Sequence, residues 1–403
     1  MTATPKATAW SPLRQPVFRA LWIAYVVSNV GTLMQDSAAA WLMALLTPSP
    51  LMVSLVQAAT TFPLFLLALP AGALADVRDR RWILLGAQVW LFVMTALLGA
   101  LTIVGVVQPW VLLVITLAIG AGSAIDLPAW LAIVPDVVSP EDVPASVTLG
   151  TFATNIARVV GPAIAGVIIV ACGPGPVFLS NAVLVAGVFV VLSRRCPKSR
   201  GATRGAESLG SAMRAGVRYV RETSALRTVV VRMMVFFGLA SALWALLPLV
   251  VKVSLGRGRG SYGALVGCLG LGGLVGAALP PAWRKGRTDK ITAVASAGFA
   301  IGLLALAWVS NFAVLVGTMV IAGAGWLTMV SSFNLATLSG AATAVQGRAL
   351  SISTLTLFGS LAVGALLWGV VANQSSIEWA LTAAGGGMLL GLSLIPWFRL
   401  ESG

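Results

Sequence analysis

The sequence predicts an all-α polytopic membrane protein with twelve transmembrane helices in two pseudo-symmetric six-helix bundles. Of the 403 residues, 58% are apolar and only 9% are charged, and the mean hydropathy is +0.96, a composition that excludes a soluble globule. The apolar residues fall in runs of roughly 20, the length of helix that crosses about 30 Å of hydrocarbon. One long polar connection separates the first six runs from the last six.

The runs define predicted helices 1 to 12 in chain order. Their bounds are 18–46, 51–75, 82–106, 110–134, 147–171, 177–194, 226–251, 263–282, 291–309, 313–338, 350–373 and 379–397. The chain therefore divides into an N-terminal bundle (1–194), a linker (195–225) and a C-terminal bundle (226–403). In the linker, apolar residues at helical spacing lie opposite arginines, which predicts a basic amphipathic helix on the membrane surface, with a calmodulin-type target as the alternative.

The net charge of +14 is distributed unevenly along the chain. Most lysines and arginines lie near the termini or in alternate connections, namely 76–82, 135–146, 195–225, 283–290 and 339–349. By the positive-inside rule these connections and both termini are cytoplasmic. The pattern indicates orientation in an inner (cytoplasmic) membrane, with the lipid bilayer and not nucleic acid as the partner.

A charged hairpin between helices 2 and 3 carries the most specific motif. It resembles the signature of the major facilitator superfamily, Gly-x-Leu-Ala-Asp followed by basic residues, although Val77 and Asp79 depart from it. The matching residues are Gly72, Leu74, Ala75, Asp76, Arg80 and Arg81. An ordinary polar turn explains the arginines but not the spacing before them.

The resemblance implies two six-helix bundles that work by alternating access, with helices 1, 4, 7 and 10 lining a central cavity. It also implies a cytoplasmic gate. Asp76 is expected to face the start of helix 11 near Arg348, where helical amides favour an anion. Arg80 is expected to reach Asp136, and both contacts are expected to tie the two halves together.

Helix 5 contains Gly161-Pro162 followed by Gly166, which resembles the Gly-Pro-x-x-Gly-Gly motif of exporters in the superfamily. Small residues let helices approach closely, and proline frees a carbonyl where a helix bends. Ordinary tight packing is the alternative. Together with Asp126-Leu-Pro-Ala-Trp130 and Asn155, the motif is similar to the branch of enterobactin exporters and multidrug efflux proteins.

Three charges lie deep in the predicted spans, namely Asp36, Asp126 and Arg158. Each costs about 2.5–3.5 kcal/mol near a helix centre on insertion scales, so each is expected to face a partner or a wet cavity. Four amides are expected to join them around the cavity: Asn29, Gln35, Gln57 and Asn155. For Asp36 the alternative is a polar stripe that is bonded internally.

Depth along the helices suggests how these charges divide. Asp126 and Arg158 lie at depths that differ by about 4–5 Å, so the two can form a structural ion pair. Asp36 lies further out and stays unpaired, where low-dielectric surroundings favour proton uptake, so it is the preferred proton carrier. If Asp36 has no such role, Asp126 is the next candidate.

We therefore expect a monomeric secondary transporter that exports a small amphipathic organic molecule, drug- or siderophore-like, by proton-coupled antiport. An uncoupled facilitator or lipid flippase is the alternative within the same fold. An enzyme is remote, since the chain has no histidine, no metal-like cysteine spacing and no nucleophile elbow. A receptor is equally remote without a sizeable soluble domain. No cofactor or metal is expected.

Overall fold

The computed structural model describes residues 10–77, 79–196, 218, 222–277, 287–341 and 346–400. These residues form twelve α-helices, which confirms the predicted all-α fold. The helices are α1 (Pro16–Leu46), α2 (Pro50–Val77), α3 (Arg80–Val104), α4 (Pro109–Val137), α5 (Val143–Cys172), α6 (Gly175–Arg195), α7 (Ser224–Leu249), α8 (Arg259–Ala277), α9 (Thr288–Trp308), α10 (Phe312–Gly340), α11 (Gln346–Gln374) and α12 (Ile377–Gly391).

Local sequence sets where the helices begin and end. Proline occupies the first helical position of α1, α2 and α4, where its missing N–H costs nothing. The Asn311 and Ser376 side chains accept hydrogen bonds from backbone amides and cap α10 and α12. At the other end of a helix, Gly105 ends α3 with φ of 79°, a conformation that favours glycine.

Ten of the described helices are long and apolar enough to cross a membrane. Consecutive helices run in opposite directions. We call the end where α1 begins the proximal end, and the end where α1 finishes the distal end. The protein is thus a multi-pass membrane protein. Some of its apolar side chains are buried between helices, and others are exposed on the outer surface.

Helix packing repeats after six helices. In the first half α1 packs on α5 and α6, α2 packs on α4, and α3 packs on α4 and α6. In the second half the corresponding pairs recur, α7 with α11 and α12, α8 with α10, and α9 with α10 and α12. The halves meet where α2 packs on α11 and α5 on α8, which the same repeat also relates. The structure is therefore pseudo-symmetric, as the sequence predicts.

The predicted amphipathic helix of the linker lies almost wholly outside the described residues. Helix 12 was expected to reach residue 397, but α12 ends at Gly391 and a 3₁₀ turn, Leu392–Leu394, follows it. Pro396 disfavours helical backbone just before it, so the apolar run continues beyond the regular helix.

Candidate functional site

The two halves close against each other at the distal end. Lys252, in the π-helical turn after α7, donates to the carbonyl of Ala44 on α1 at 2.5 Å. The Tyr262 hydroxyl donates to the Ser37 carbonyl at 3.3 Å, and its ring stacks on Trp41 with centroids 5.1 Å apart. We call these five residues the distal seal. Both rings are almost fully buried, so the molecule is closed where they meet.

Beside the seal, two pairs of helices cross at very short range. A Cβ at Gly166 of α5 would lie 2.8 Å from the Cα of Gly263 on α8. In the symmetry-related pair, a Cβ at Gly369 of α11 would lie 2.7 Å from Ser54 Cβ on α2. We call these the distal crossings. Glycine is required at Gly166 and Gly369 because any larger residue displaces the neighbouring helix.

The predicted helix-5 motif thus contributes to two different contacts. Gly166 lies at a crossing between the halves, whereas Gly161 packs inside the first half, where its Cβ would meet the Val30 carbonyl of α1 at 2.9 Å. Pro162 is buried beside it within the helix.

A cavity of about 240 Å³ lies at the proximal end between α1, α4 and α5. Its walls are mainly apolar and aromatic, including Phe18, Trp22 and Trp130. Polar groups enter from Tyr25 on α1 and from Thr151 and Thr154 on α5. Apolar walls with a few polar groups are typical of a site for a small organic molecule.

Arg158 lies one helical turn beyond Thr154, on the α5 face that lines this cavity. Its guanidinium interacts with the Tyr25 side chain, which also lies near Asn29 and Thr154. Arg158 makes no ion pair with the residues that the structure describes. A cation therefore lies one helical turn beyond the α5 residues that line the cavity.

The predicted ion pair between Asp126 and Arg158 is wrong. The Asp126 carboxylate turns instead towards α3, where it accepts a hydrogen bond from Gln88 Nε2 at 3.0 Å. Asp126 is 8% exposed and Gln88 is fully buried, so the contact is sheltered from solvent. Because its partner is a neutral amide and not a cation, Asp126 is a candidate for proton transfer beside Asp36.

Asp36 lies next to the distal seal on α1. It is partly buried, and its carboxylate makes no hydrogen bond or ion pair within the described part of the chain. A titratable neighbour across the interface is Tyr262, whose hydroxyl is bonded to the residue that follows Asp36, Ser37. Asp36 is therefore an acid without a partner among the described residues, and it lies beside the contact that closes the distal end.

The four predicted cavity amides have different environments. Gln35 is not a cavity residue, which corrects the prediction. It is 3% exposed and accepts from Thr95 on α3 and Asn181 on α6, both at 2.9 Å. Asn29 donates to the backbone carbonyl of Tyr25 at 2.7 Å, near the cavity. Gln57 and Asn155 are partly buried.

At the proximal end, Arg80 contacts Asp136 at 2.9 Å, as predicted. Both residues belong to the first half, so this contact joins α3 to α4 and does not tie the halves together. Arg81 donates to the Ser193 carbonyl at the end of α6 at 2.6 Å. The predictions for the other gate residues, Gly72, Asp76 and Arg348, fall on side-chain positions outside the described set.

A second buried charge has a role that we did not predict. Arg232 on α7 is 9% exposed and pairs with Asp289 of α9 at 2.5 Å. Asp289 also accepts from the backbone N–H of Leu400 at 3.1 Å. This network fastens the C-terminal segment to the second half.

Sequence reasoning missed Gln88, Tyr25 and Trp130 as candidate site residues. Gln88 carried a signal, since it is the one amide in the apolar run 82–106. Tyr25 and Trp130, which lie with ring centroids 5.4 Å apart, gave none, because aromatic residues are common in membrane helices.

Twelve described helices with a six-helix packing repeat, closed at one end and hollow at the other, define a transporter of the major facilitator superfamily and not an enzyme. More narrowly, the chain belongs to the MFS_3 family, described as transmembrane secretion effector, whose match spans residues 7–403.

Individual proteins agree with this assignment. The Staphyloferrin A transporter of Staphylococcus aureus is 34% identical over 122 residues, which are 30% of this chain and 31% of that protein, so the alignment spans about a third of the relative. The nucleoside transporter NupG has a similar fold, with a TM-score of 0.74 at 11% identity over 96% of this chain and 100% of the other. A bacterial homologue of the human lysosomal transporter Spinster, inward-facing and occupied, gives a TM-score of 0.72 at 12% identity over 97% and 98%.

Proposed function

We propose that this secondary transporter exports a small amphipathic organic molecule, drug- or siderophore-like, in exchange for protons. We place it in the cytoplasmic membrane as a monomer with both termini in the cytoplasm. The observation that carries the proposal is the pairing of a proximal cavity with a distal seal. With cytoplasmic termini, this is a site that is loaded from inside the cell.

The packing repeat supports alternating access. The bundles meet through α2–α11 and α5–α8, and the repeat relates these two interfaces. Rocking one bundle against the other on these interfaces would break the distal seal and would carry the proximal cavity, which lies within the first bundle, along with it. The substrate would then be released on the opposite side of the membrane.

Proton coupling is assigned to Asp36. In the distal seal, the Tyr262 hydroxyl donates to the carbonyl of Ser37, the residue after Asp36. A change in the charge of Asp36 would therefore change the stability of a contact that must break during transport. Ionised Asp36 next to the buried Tyr262 and Trp41 rings is disfavoured by desolvation, whereas the neutral acid is compatible with the closed seal. Uptake of a proton from the distal side while the seal is open, and its release to the proximal side after the seal has closed, would complete the exchange. Asp126 is the second candidate.

The similarity to the Staphyloferrin A transporter supports a siderophore-like substrate. It covers about a third of either chain, so it favours this class without defining the molecule.

The test is transport by purified protein in proteoliposomes, with a panel of amphipathic compounds and with or without a pH gradient. We expect Asp36→Asn to abolish uptake driven by the pH gradient, while exchange between compartments at equal pH persists. Glu141→Gln, which neutralises an exposed acid at the proximal end, is the matched control and should transport normally.

An Asp36→Asn protein that still concentrates substrate would remove Asp36 from the mechanism and leave Asp126→Asn as the next variant. Transport that ignores the pH gradient in the unmodified protein would instead favour the uncoupled facilitator.

A further inference from the structure

We infer that Asp126 and Gln88 form a proton-binding pair, and that Trp130 connects this pair to the wall of the proximal cavity. The inference rests on the proposed transport function and adds a second proton site to the one assigned to Asp36. The proton binds to a carboxylate oxygen of Asp126, which becomes a neutral carboxyl group.

The first argument is an amide oxygen that lacks a donor. Gln88 is fully buried on α3, and its Nε2 atom donates to Asp126 Oδ1 at 3.0 Å. The Oε1 atom of the same amide is buried and accepts no hydrogen bond from the described residues. A buried acceptor without a donor is rare and needs an explanation. Ionised Asp126 cannot supply the donor, because a carboxylate only accepts hydrogen bonds.

Protonation of Asp126 supplies that donor. A protonated carboxyl group has one O–H, and a primary amide has both N–H donors and a C=O acceptor. The two groups can therefore be joined by two hydrogen bonds, one from Gln88 Nε2 to a carboxyl oxygen and one from the carboxyl O–H to Gln88 Oε1. Rotation of either end group is the only movement that this requires. The pair is complete only when the proton is bound.

The helices around the pair bring few other titratable groups. Residues 50–75 of α2 and 82–104 of α3 include none. Tyr25 faces the pair from α1, and Arg158 of α5 acts on Tyr25 as Asp126 does, with the opposite sign. Arg158 forms no ion pair with Asp126. Without a cation beside it, the Asp126 carboxylate has only neutral donors to stabilise its charge.

Trp130 connects the pair to the cavity. It lies one helical turn after Asp126 on α4, and its indole N–H is directed at the carboxylate without reaching hydrogen-bonding geometry. The same ring lines the proximal cavity and contacts Tyr25 with ring centroids 5.4 Å apart. A carboxylate attracts an N–H group more strongly than a neutral carboxyl group does. Proton uptake therefore loosens Trp130 in the cavity wall, so that the proton and the substrate each change the affinity for the other.

The experiment is infrared difference spectroscopy of the full-length protein in lipid nanodiscs. The pH is lowered from about 8 to about 5, the range in which proteins tend to be most stable. A protonated carboxyl group has a C=O stretching band that a carboxylate lacks. We expect one component of this band to disappear in Asp126→Asn and to persist in Asp36→Asn. Gln88→Leu should shift that component to higher wavenumber, because the carboxyl oxygen loses its N–H donor.

Matched variants serve as controls. Glu141→Gln removes an exposed acid at the proximal end and should leave the Asp126 component unchanged. Trp130→Phe removes an N–H that favours the carboxylate, so the component should appear at higher pH. Trp90→Phe should not move it, because the Trp90 indole is already bonded to a backbone carbonyl.

Thermal melts at about pH 8 give a second readout, within the usual range of protein stability. Asparagine has the shape of the protonated acid, and its amide N–H can donate to Gln88 Oε1 without burying a charge. Asp126→Asn should therefore raise the melting temperature, whereas Glu141→Gln should not. Elution from size-exclusion chromatography verifies folding. If Asp126→Asn does not fold, Gln88→Leu and Trp130→Phe decide the question.

Three results would overturn the proton-binding pair: a carboxyl band that is intact in Asp126→Asn, a band that Gln88→Leu does not shift, or a lower melting temperature of Asp126→Asn. A Trp130→Phe protein that titrates like the unmodified protein would overturn the connection to the cavity. The proposed function fails separately. If the Asp126 band is present but proteoliposomes transport no compound of the panel, the pair stands and the export proposal falls. If the band is absent but a pH gradient drives transport, the export proposal stands and the pair falls.

Discussion

Replacing Gly166 or Gly263 with alanine should loosen the distal end of the protein. A Cβ at Gly166 would lie 2.8 Å from the Gly263 Cα, whereas ordinary contacts begin at 3.4 Å, so α5 and α8 must separate by about 0.6 Å. Overpacking of this kind costs typically 1–3 kcal/mol. The cost applies only to the state in which the distal crossing is closed, so the ratio of distally closed to distally open molecules should fall by roughly 5–150-fold.

The assay is a distance measurement between spin labels. Cys172 is exposed at the distal end of α5, and Arg259→Cys places a second label at the start of α8, with Cys196 and Cys268 replaced by serine. Gly166→Ala and Gly263→Ala should add a population at longer distance. Gly267→Ala is the matched control, since a Cβ there meets nothing within 4 Å. Distance distributions that are identical in all four proteins would refute the reasoning.

Two further predictions concern orientation and stability. In intact cells an impermeant thiol reagent should label a cysteine at Ser375 but not one at Asp79, because the arginine-rich connections are expected inside; the opposite pattern reverses the topology. Arg232→Gln should lower the unfolding free energy by up to about 3–5 kcal/mol, since it leaves Asp289 in a partly buried site without its cation, and a thermal melt of the detergent-solubilised protein that is unchanged would contradict this.

The number, order and approximate bounds of the helices could be predicted because the length of each apolar run matches the length of helix that crosses the hydrocarbon layer. The same signal does not reveal where regular hydrogen bonding stops, which is why α12 ends at Gly391 although the apolar run continues. A contact implied by the superfamily motif could also be predicted. Arg80 meets Asp136 because the residues begin and end neighbouring helices at the same surface.

Side-chain direction accounts for the errors. Asp126 and Arg158 lie at similar depths, but depth gives no information on which face of a helix a residue occupies, and Asp126 faces α3 instead of α5. Gln35 was expected at the cavity as one of four amides, yet it packs towards α3 and α6. The pair of Arg232 and Asp289 was not predicted, because the two residues are distant in sequence and belong to different helices.

The two distal crossings have a mechanical consequence. Gly166 and Gly369 occupy the same position, the twenty-fourth residue, of α5 and α11, and Gly263 and Ser54 are each the fifth residue of α8 and α2. The line that joins the crossings is thus an axis about which the proximal ends of the bundles can turn while both crossings stay in contact. The proximal end of α5 is 23 residues from it, a lever arm of about 35 Å, so turning one bundle by about 10° moves that end by about 6 Å. A rotation that opens the distal side must pivot on a deeper contact, such as Gly270 against Val159.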